Sequence, residues 1–461
     1  MSTEPGPALR GAASETAILI KVALTTMLAP LNSTMIGVAL PDIMGEFATD
    51  LETGSWLVTA YLISMASLQP VCGKLGDRFG RRPLILAGLV YFGVASIGAA
   101  TASSLAELLI FRIQQGIAGA LALPNGMALV REIVPAVRRA SRIGLLGSAI
   151  VLAAAAGPPL GGLLIRLAGW RSIFYVNLLL IVPALVIALW ALPIPDRDRE
   201  HRHSFDLVGA LQLLAILLGG AALMTGALSA LPPLATWGVA AVLVGLTAVF
   251  LRREALHDDP IFQPRFFRRT TFAAGCAVVS LSNLSMYTAF LAIPLLLANL
   301  PSWSSTQVGL VLAALWAPSV VFAPLGGILA DRWGRRWPTT LGLSLLTIGM
   351  AALFALETGE GDDLWVLLIG LGVAGIGLGL SQAGLQTGVL ESVTSDQSGS
   401  ASGVFSTSRY IGSIAGSSAL PMLYASGDEM AGFMRVLSVV VIAALASTGA
   451  SLWLQHRPSP D

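Results

Sequence analysis

Charge is what this sequence has least of. Lys, Arg, Asp and Glu make up 11% of its 461 residues, against 55% hydrophobic residues. Soluble domains carry about 25% charged residues, so the chain cannot clothe a water-facing surface, and lipid must be its main solvent. Cysteine is nearly absent: Cys72 and Cys276 fall in apolar segments without CxxC or metal spacing and read as small buried hydrophobes. His201, His203, His257 and His456 sit in expected loops or the tail, which excludes a histidine metal site inside the membrane. No nucleophile, base and metal constellation appears, so neither an enzyme nor a bound metal or cofactor is expected. The net charge is +1 and the basic residues form no single patch, which excludes nucleic acid as a partner. No basic n-region or small-residue cleavage site precedes the first apolar run, so that run is expected to stay in the mature protein.

A membrane-crossing helix needs about 20 mostly apolar residues. Fourteen such runs lie between residues 16 and 455, many rich in Gly and Ala, which suits close helix packing in lipid and disfavours a β-barrel. With the chain starting inside, 22 Lys and Arg residues fall on the cytoplasmic side and three (Arg166, Arg171, Arg435) outside. Both termini are therefore expected in the cytoplasm, with residues 1–15 a disordered lead and 456–461 a short tail.

Gly73-Lys-Leu-Gly-Asp77-Arg78-Phe-Gly-Arg81-Arg82 follows the second run, and Gly327-Ile-Leu-Ala-Asp331-Arg-Trp-Gly-Arg335-Arg336 follows the tenth. The pattern GxLxDRxGRR recurs 254 residues later, both times on an expected cytoplasmic loop, and in the first copy Gly76 and Gly80 are expected to permit tight turns beside Asp77. It implies two homologous six-helix halves, 16–192 and 271–455, with an inserted helix pair and its linkers over 193–270.

These residues resemble the major facilitator superfamily, specifically its fourteen-helix drug:proton antiporter branch, over nearly the whole chain. The two loops match that superfamily's signature after helix 2. Leu31 to Pro41 is similar to the branch's first-helix motif, Phe111-Arg112-Ile-Gln-Gln115-Gly116 to its basic motif in helix 4, and Gly157-Pro158-Pro159-Leu-Gly161-Gly162 to its antiporter motif in helix 5, with Ala153 in place of the usual leading glycine. Trp170 to Asn177 and Ser408 to Gly412 are also similar. The resemblance implies an all-α bundle, alternating access, export of a small organic solute across the bacterial inner membrane, and a monomer. It also implies a latch in which Asp77, with Gly73, Arg78 and Arg81 around it, meets a helix N-terminus of the other half and the basic end of helix 4, here Arg131. A carboxylate at a helix N-terminus contributes about 0.3–1 kcal/mol. Asp331 and Arg335 hold the matching places in the second copy. Gly157 and Pro158 are expected to interrupt helix 5 as a pliable contact between the halves, or simply to allow close packing.

All 26 Asp and Glu residues fall in loops, termini or within a turn or two of a span end. The mid-span ionisable side chains reduce to Arg112 and Arg409. A charge there costs at least about 2.5–3.5 kcal/mol and is usually functional. Arg112 lies roughly 10 Å below the outer start of helix 4 and can face Asn32 of helix 1, either as a substrate or coupling group or bonded structurally to carbonyls, Gln115 or Asn32. Gln69, Gln115, Asn125, Asn177, Asn283, Tyr287, Trp316, Gln382 and Gln386 are candidate cavity residues or helix–helix hydrogen bonds.

The branch normally carries an acid at the position of Asn32. An amide cannot carry a proton, and Arg stays protonated. Either protons couple through an edge carboxylate such as Glu107, Glu132 or Asp77, or transport runs without them. A cavity with arginines and no carboxylate offers a hydrophobic cation no counter-ion, so neutral or anionic solutes are expected. The alternatives are a lipid translocator, opened sideways by helices 7 and 8, and a proton-independent facilitator.

Overall fold

The computed structural model describes residues 22–24, 26–133, 136–191, 206–257, 260–298, 303–356, 363–393, 397–424 and 429–455. Fourteen long helices account for nearly all of them: α1 Leu28–Glu46, α2 Leu51–Phe79, α3 Arg81–Thr101, α4 Leu105–Ile133, α5 Ala136–Ala168, α6 Ser172–Ala191, α7 Leu207–Thr225, α8 Pro233–Leu256, α9 Thr270–Ala298, α10 Ser305–Trp333, α11 Arg336–Ala352, α12 Asp363–Glu391, α13 Ser398–Tyr424 and α14 Glu429–Ser451. Eleven are long and apolar enough to cross a membrane alone, while α5 and α6 qualify as a pair bent by 116° at the turn where Gly169 takes φ +73. The remaining helix, α13, carries eight serines, which lower its hydropathy. Side-chain hydroxyls and carboxylates start several helices: Asp50 accepts from Thr53 N at 2.9 Å to cap α2, and Ser304 and Gln307 form a capping box on α10.

The packing scheme repeats. In the first half α1 lies on α5, α2 and α3 on α4, and α3 on α6; in the second, α9 lies on α13, α10 and α11 on α12, and α11 on α14. Shifting the first set by eight helices produces the second. The halves meet through α2 with α13 and α5 with α10, two seams that are each other's equivalents under that shift. Among the described residues one seam is covered: α7 packs on both α2 and α13, and α8 packs on α7. The outer face of α8 is bare, with Leu234 and Trp237 85% and 75% exposed, as suits a lipid-facing helix. At the base of this pair Asp206 caps α7 through Gly209 N (2.8 Å) and takes Arg253 of α8 at 2.7 Å. Burial raises the Asp206 pKa, but the Arg253 and Gly209 hydrogen bonds outweigh it and hold the carboxyl at about 2.

Three local expectations are corrected. The repeated motif is mostly helix rather than loop: α2 runs to Phe79 and α10 to Trp333, so each connection is a tight turn at a glycine, Gly80 with φ +98 and Gly334 with φ +81. That left-handed backbone is what the glycine supplies. Gly76 forms no turn; it lies inside α2, and a Cβ there would fall 1.6 Å from Asn125 Oδ1 of α4. Finally, Pro158 and Pro159 do not interrupt α5, which is continuous through them. Each proline removes one donor, and the rest of a 33-residue helix keeps its own bonds.

Candidate functional site

Helix α4 carries Arg112 two turns in from Leu105, on a face shared with Gln115, because residues three apart are neighbours on a helix. The side chain is 0% exposed. Its Nε donates to Leu57 O of α2 at 3.0 Å, and Nη1 donates to Gln115 Oε1 at 2.9 Å and to Asn32 Oδ1 of α1. The guanidinium lies over the Tyr61 ring, 4.4 Å from its centroid, a cation–π contact that contributes about 2 kcal/mol when desolvated. Tyr61 is anchored in turn by its hydroxyl, which donates to Ala29 O at 3.1 Å. From Gln115 the network continues: its Nε2 donates to Ser96 Oγ of α3 at 2.9 Å, and Asn177 Nδ2 of α6 donates to the same oxygen at 3.2 Å. One arginine thus ties together α1, α2, α3, α4 and α6.

Arg112 and Asn32 do face each other, with α1 continuing beyond Asn32 to Glu46. Every acceptor around Arg112 is neutral. Among the described residues the ion pairs all lie at helix ends: Arg171 with Glu46, Arg253 with Asp206 and Glu254, and Arg335 with Asp331 and Glu391. Taking an ion out of water without a counter-charge costs several kcal/mol. Hydrogen bonds to a charged group contribute about 1.5–3 kcal/mol each, so the three acceptors and the Tyr61 ring offset much of that cost.

Arg409 of α13 is the second intramembrane cation. It is half-buried, its Nε has no partner, and its guanidinium sits 5.6 Å from the Phe405 ring centroid. Tyr287 of α9 lies within electrostatic reach of both arginines. The neighbouring Tyr410 hydroxyl accepts from Gln69 Nε2 of α2 at 3.0 Å, joining the halves at mid-depth. Trp316 of α10 meets Phe290 edge-on at 6.5 Å and leaves its Nε1 buried without a partner. Gln382 and Gln386 of α12 are half-buried. Two candidates are internal braces: Asn125 donates to Cys72 O (3.0 Å) and accepts from Arg81 Nη1 (3.3 Å), and Asn283 bonds Val279 O in its own helix (2.8 Å). Residues the sequence reading passed over are Tyr61, Ser96, Tyr410 and the Leu57 carbonyl. A lone hydroxyl or carbonyl in an apolar run carries no charge signal to mark it.

The halves are joined at the end of the bundle that holds the α1–α2 and α5–α6 turns. Thr59 and Ser417 share a hydrogen bond of 2.9 Å, Thr306 Oγ1 donates to Gly162 O at 3.2 Å, and Phe290 packs into the space beside Gly37. At Gly309 the backbones of α10 and α5 approach so closely that a Cβ would sit 2.4 Å from Pro158 O. Gly157 packs instead within its own half, against Thr34. At the opposite end the side chains of Asp77, Arg78, Arg131 and Glu132 lie outside the described residues. Near them, Arg81 Nη1 donates to Gly73 O at 2.8 Å. In the second copy Asp331, 74% exposed, pairs with Arg335 at 2.5 Å, and Arg335 grips Glu391 of α12 at 2.7 Å. Both contacts stay within one half. The edge carboxylate Glu107 is exposed and accepts from Ser103 N and Oγ.

The family model of the Major Facilitator Superfamily matches residues 22–252 and 275–461. The tetracenomycin C resistance and export protein of Streptomyces glaucescens is 30% identical, over 92% of this chain and 78% of its own length. The multidrug resistance protein Stp of Mycobacterium tuberculosis is 31% identical over 88% and 75%. Among solved structures, the inward-open xylose transporter XylE of E. coli superposes with a TM-score of 0.63 at 17% identity, over 94% of this chain and 95% of that one.

Proposed function

Since the chain belongs to the Major Facilitator Superfamily and is a multi-pass membrane transporter of a small molecule, we propose that it exports a neutral or anionic organic amphipath, a drug or natural product, by alternating access. The observation that carries this is the pair Arg112 and Arg409 inside the bundle, with every described carboxylate at a helix end. In a medium of low dielectric an unpaired guanidinium repels a cationic solute and attracts an anionic or electron-rich one. Arg409, Tyr287, Tyr410, Gln69 and Trp316 form the substrate-facing layer in this reading, and Arg112 stands one layer behind, under Tyr61. Export is favoured by the relatives named for resistance and export.

The membrane in this reading is the bacterial inner membrane, with both termini cytoplasmic because Lys and Arg concentrate at the end with the α2–α3 and α10–α11 turns. The joined end then faces outward, and the state is closed to the outside. The protein acts as a monomer, without enzymatic chemistry, metal or cofactor. The lipid-translocator alternative needs a bundle opened by α7 and α8, whereas α7 lies across the α2–α13 seam. The experiment is uptake into proteoliposomes of three size-matched aromatic probes, anionic, neutral and cationic. Transport of the first two at least tenfold faster than the cation supports the proposal. Preferential transport of the cation, undiminished in Arg409→Ala, overturns it.

A further inference from the structure

Arg112 is a permanent cation in a fully buried place whose named acceptors are two amide oxygens, one carbonyl and an aromatic face. Two donors in this cluster are left over. Arg112 Nη2 is buried with no acceptor, and so is Asn32 Nδ2, the amide nitrogen of the residue whose Oδ1 takes Nη1. Buried donors without acceptors are rare, and each one needs an explanation. The positive charge needs one too, because neutral dipoles satisfy its hydrogen-bond geometry without cancelling it. Water would meet the orphan donors but bring no charge. A bulky organic anion is excluded by the complete burial of the side chain. What meets both needs is a single small anion beside the Arg112–Asn32 pair.

We propose that Arg112 and Asn32 form a binding site for a small monovalent inorganic anion of chloride's size, held by Arg112 Nη2 and Asn32 Nδ2 in the first half of the bundle. Asn32 is the specificity-determining residue: its amide turns a donor toward the ion, where a carboxylate would neutralise Arg112 directly and leave nothing for an ion to do. The site itself stands on geometry and charge. Its role rests on the transport reading above, in which the anion travels with, or against, the organic solute.

The test uses the purified full-length protein, with chloride as the probe. Potassium chloride is exchanged for potassium gluconate at constant ionic strength while the thermal unfolding midpoint and the chloride NMR linewidth are followed. The wild type is expected to show a saturable upward shift of the midpoint and a saturable broadening. Asn32→Asp, which sets a carboxylate against Arg112, is expected to lose both responses, weakening chloride affinity at least about tenfold while remaining folded. Arg409→Gln is expected to keep them, which rules out a general salt effect. A wild type indifferent to chloride, or an Asn32→Asp protein that responds fully, overturns the proposal. Solute transport is measured on the same preparations. Transport without chloride binding overturns the anion site alone, and chloride binding without transport overturns the transport reading alone.

Discussion

Arg112 Nη1 donates to Asn32 Oδ1 across the α1–α4 contact, and the two side chains are each 0% exposed. An arginine and an amide at the centre of a membrane bundle form a fixed dipolar contact that no proton can switch, since neither group titrates in the physiological range. The same contact lies between the elements that carry the seams: α1 packs on α5, and the Arg112 side chain also holds α2 through Leu57 O. Leu57, whose carbonyl takes Arg112 Nε, stands two residues before Thr59, which bonds Ser417 across the α2–α13 seam.

Replacing Arg112 by Lys keeps the charge but loses the planar fork that reaches Leu57 O, Gln115 and Asn32 at once. Leaving buried acceptors unpaired costs about 1–3 kcal/mol each. Arg112→Lys is expected to lower the unfolding midpoint and reduce transport at least about tenfold, read by a thermal scan and initial uptake rates. A variant with wild-type rates would show the fork to be dispensable.

Gly309 has no room for a side chain, since its Cβ would meet Pro158 O at 2.4 Å and Gly162 Cα at 3.3 Å. Backbone cannot yield as a flexible side chain can. Gly309→Ala is expected to wedge α10 away from α5 and shift the population toward states open at the α5–α6 end. The check is labelling of a single cysteine near Thr306 by an impermeant reagent, with faster labelling expected in the variant. Unchanged labelling with unchanged transport would contradict the close approach.

Asp331 and Glu391 share Arg335 unequally. Asp331 is 74% exposed and Glu391 32%, so solvent screens the first contact more, and an exposed i,i+4 pair contributes only about 0.3–0.5 kcal/mol. Asp331→Asn is expected to leave transport within about twofold of wild type, and Glu391→Gln to cost more stability. A loss of transport in Asp331→Asn, without loss of folded protein, would give the second motif copy the latch role its resemblance implies.

Much of this was legible in the sequence. Reading for apolar runs finds all fourteen helices because a membrane span is a one-dimensional property of the chain, although serine-rich α13 falls below the hydropathy of a span and α5 and α6 reach it only together. The GxLxDRxGRR repeat locates the equivalence that the packing of α1–α6 and α9–α14 displays. The census of charges isolates Arg112 and Arg409, since an ionisable group in an apolar run stands out against its neighbours. What sequence could not supply is depth and direction. α1 runs to Glu46, whose carboxylate takes Trp170 Nε1 and Arg171 Nη1 from the α5–α6 turn, and α2 runs to Phe79 with Gly76 set against Asn125 of α4. The continuity of α5 through Pro158 and Pro159 and the place of α7 across the α2–α13 seam have no local signature.

The interior of the bundle is cationic, and among the described residues no acid stands there to carry protons. The decisive experiment is uptake of an anionic aromatic probe into proteoliposomes under an imposed pH gradient of either sign, with the membrane potential clamped. Initial rates are expected to agree within about twofold for both gradients and for none. Rates that rise and fall with the direction of the proton gradient would contradict this, and would place a titrating carboxylate on the transport path.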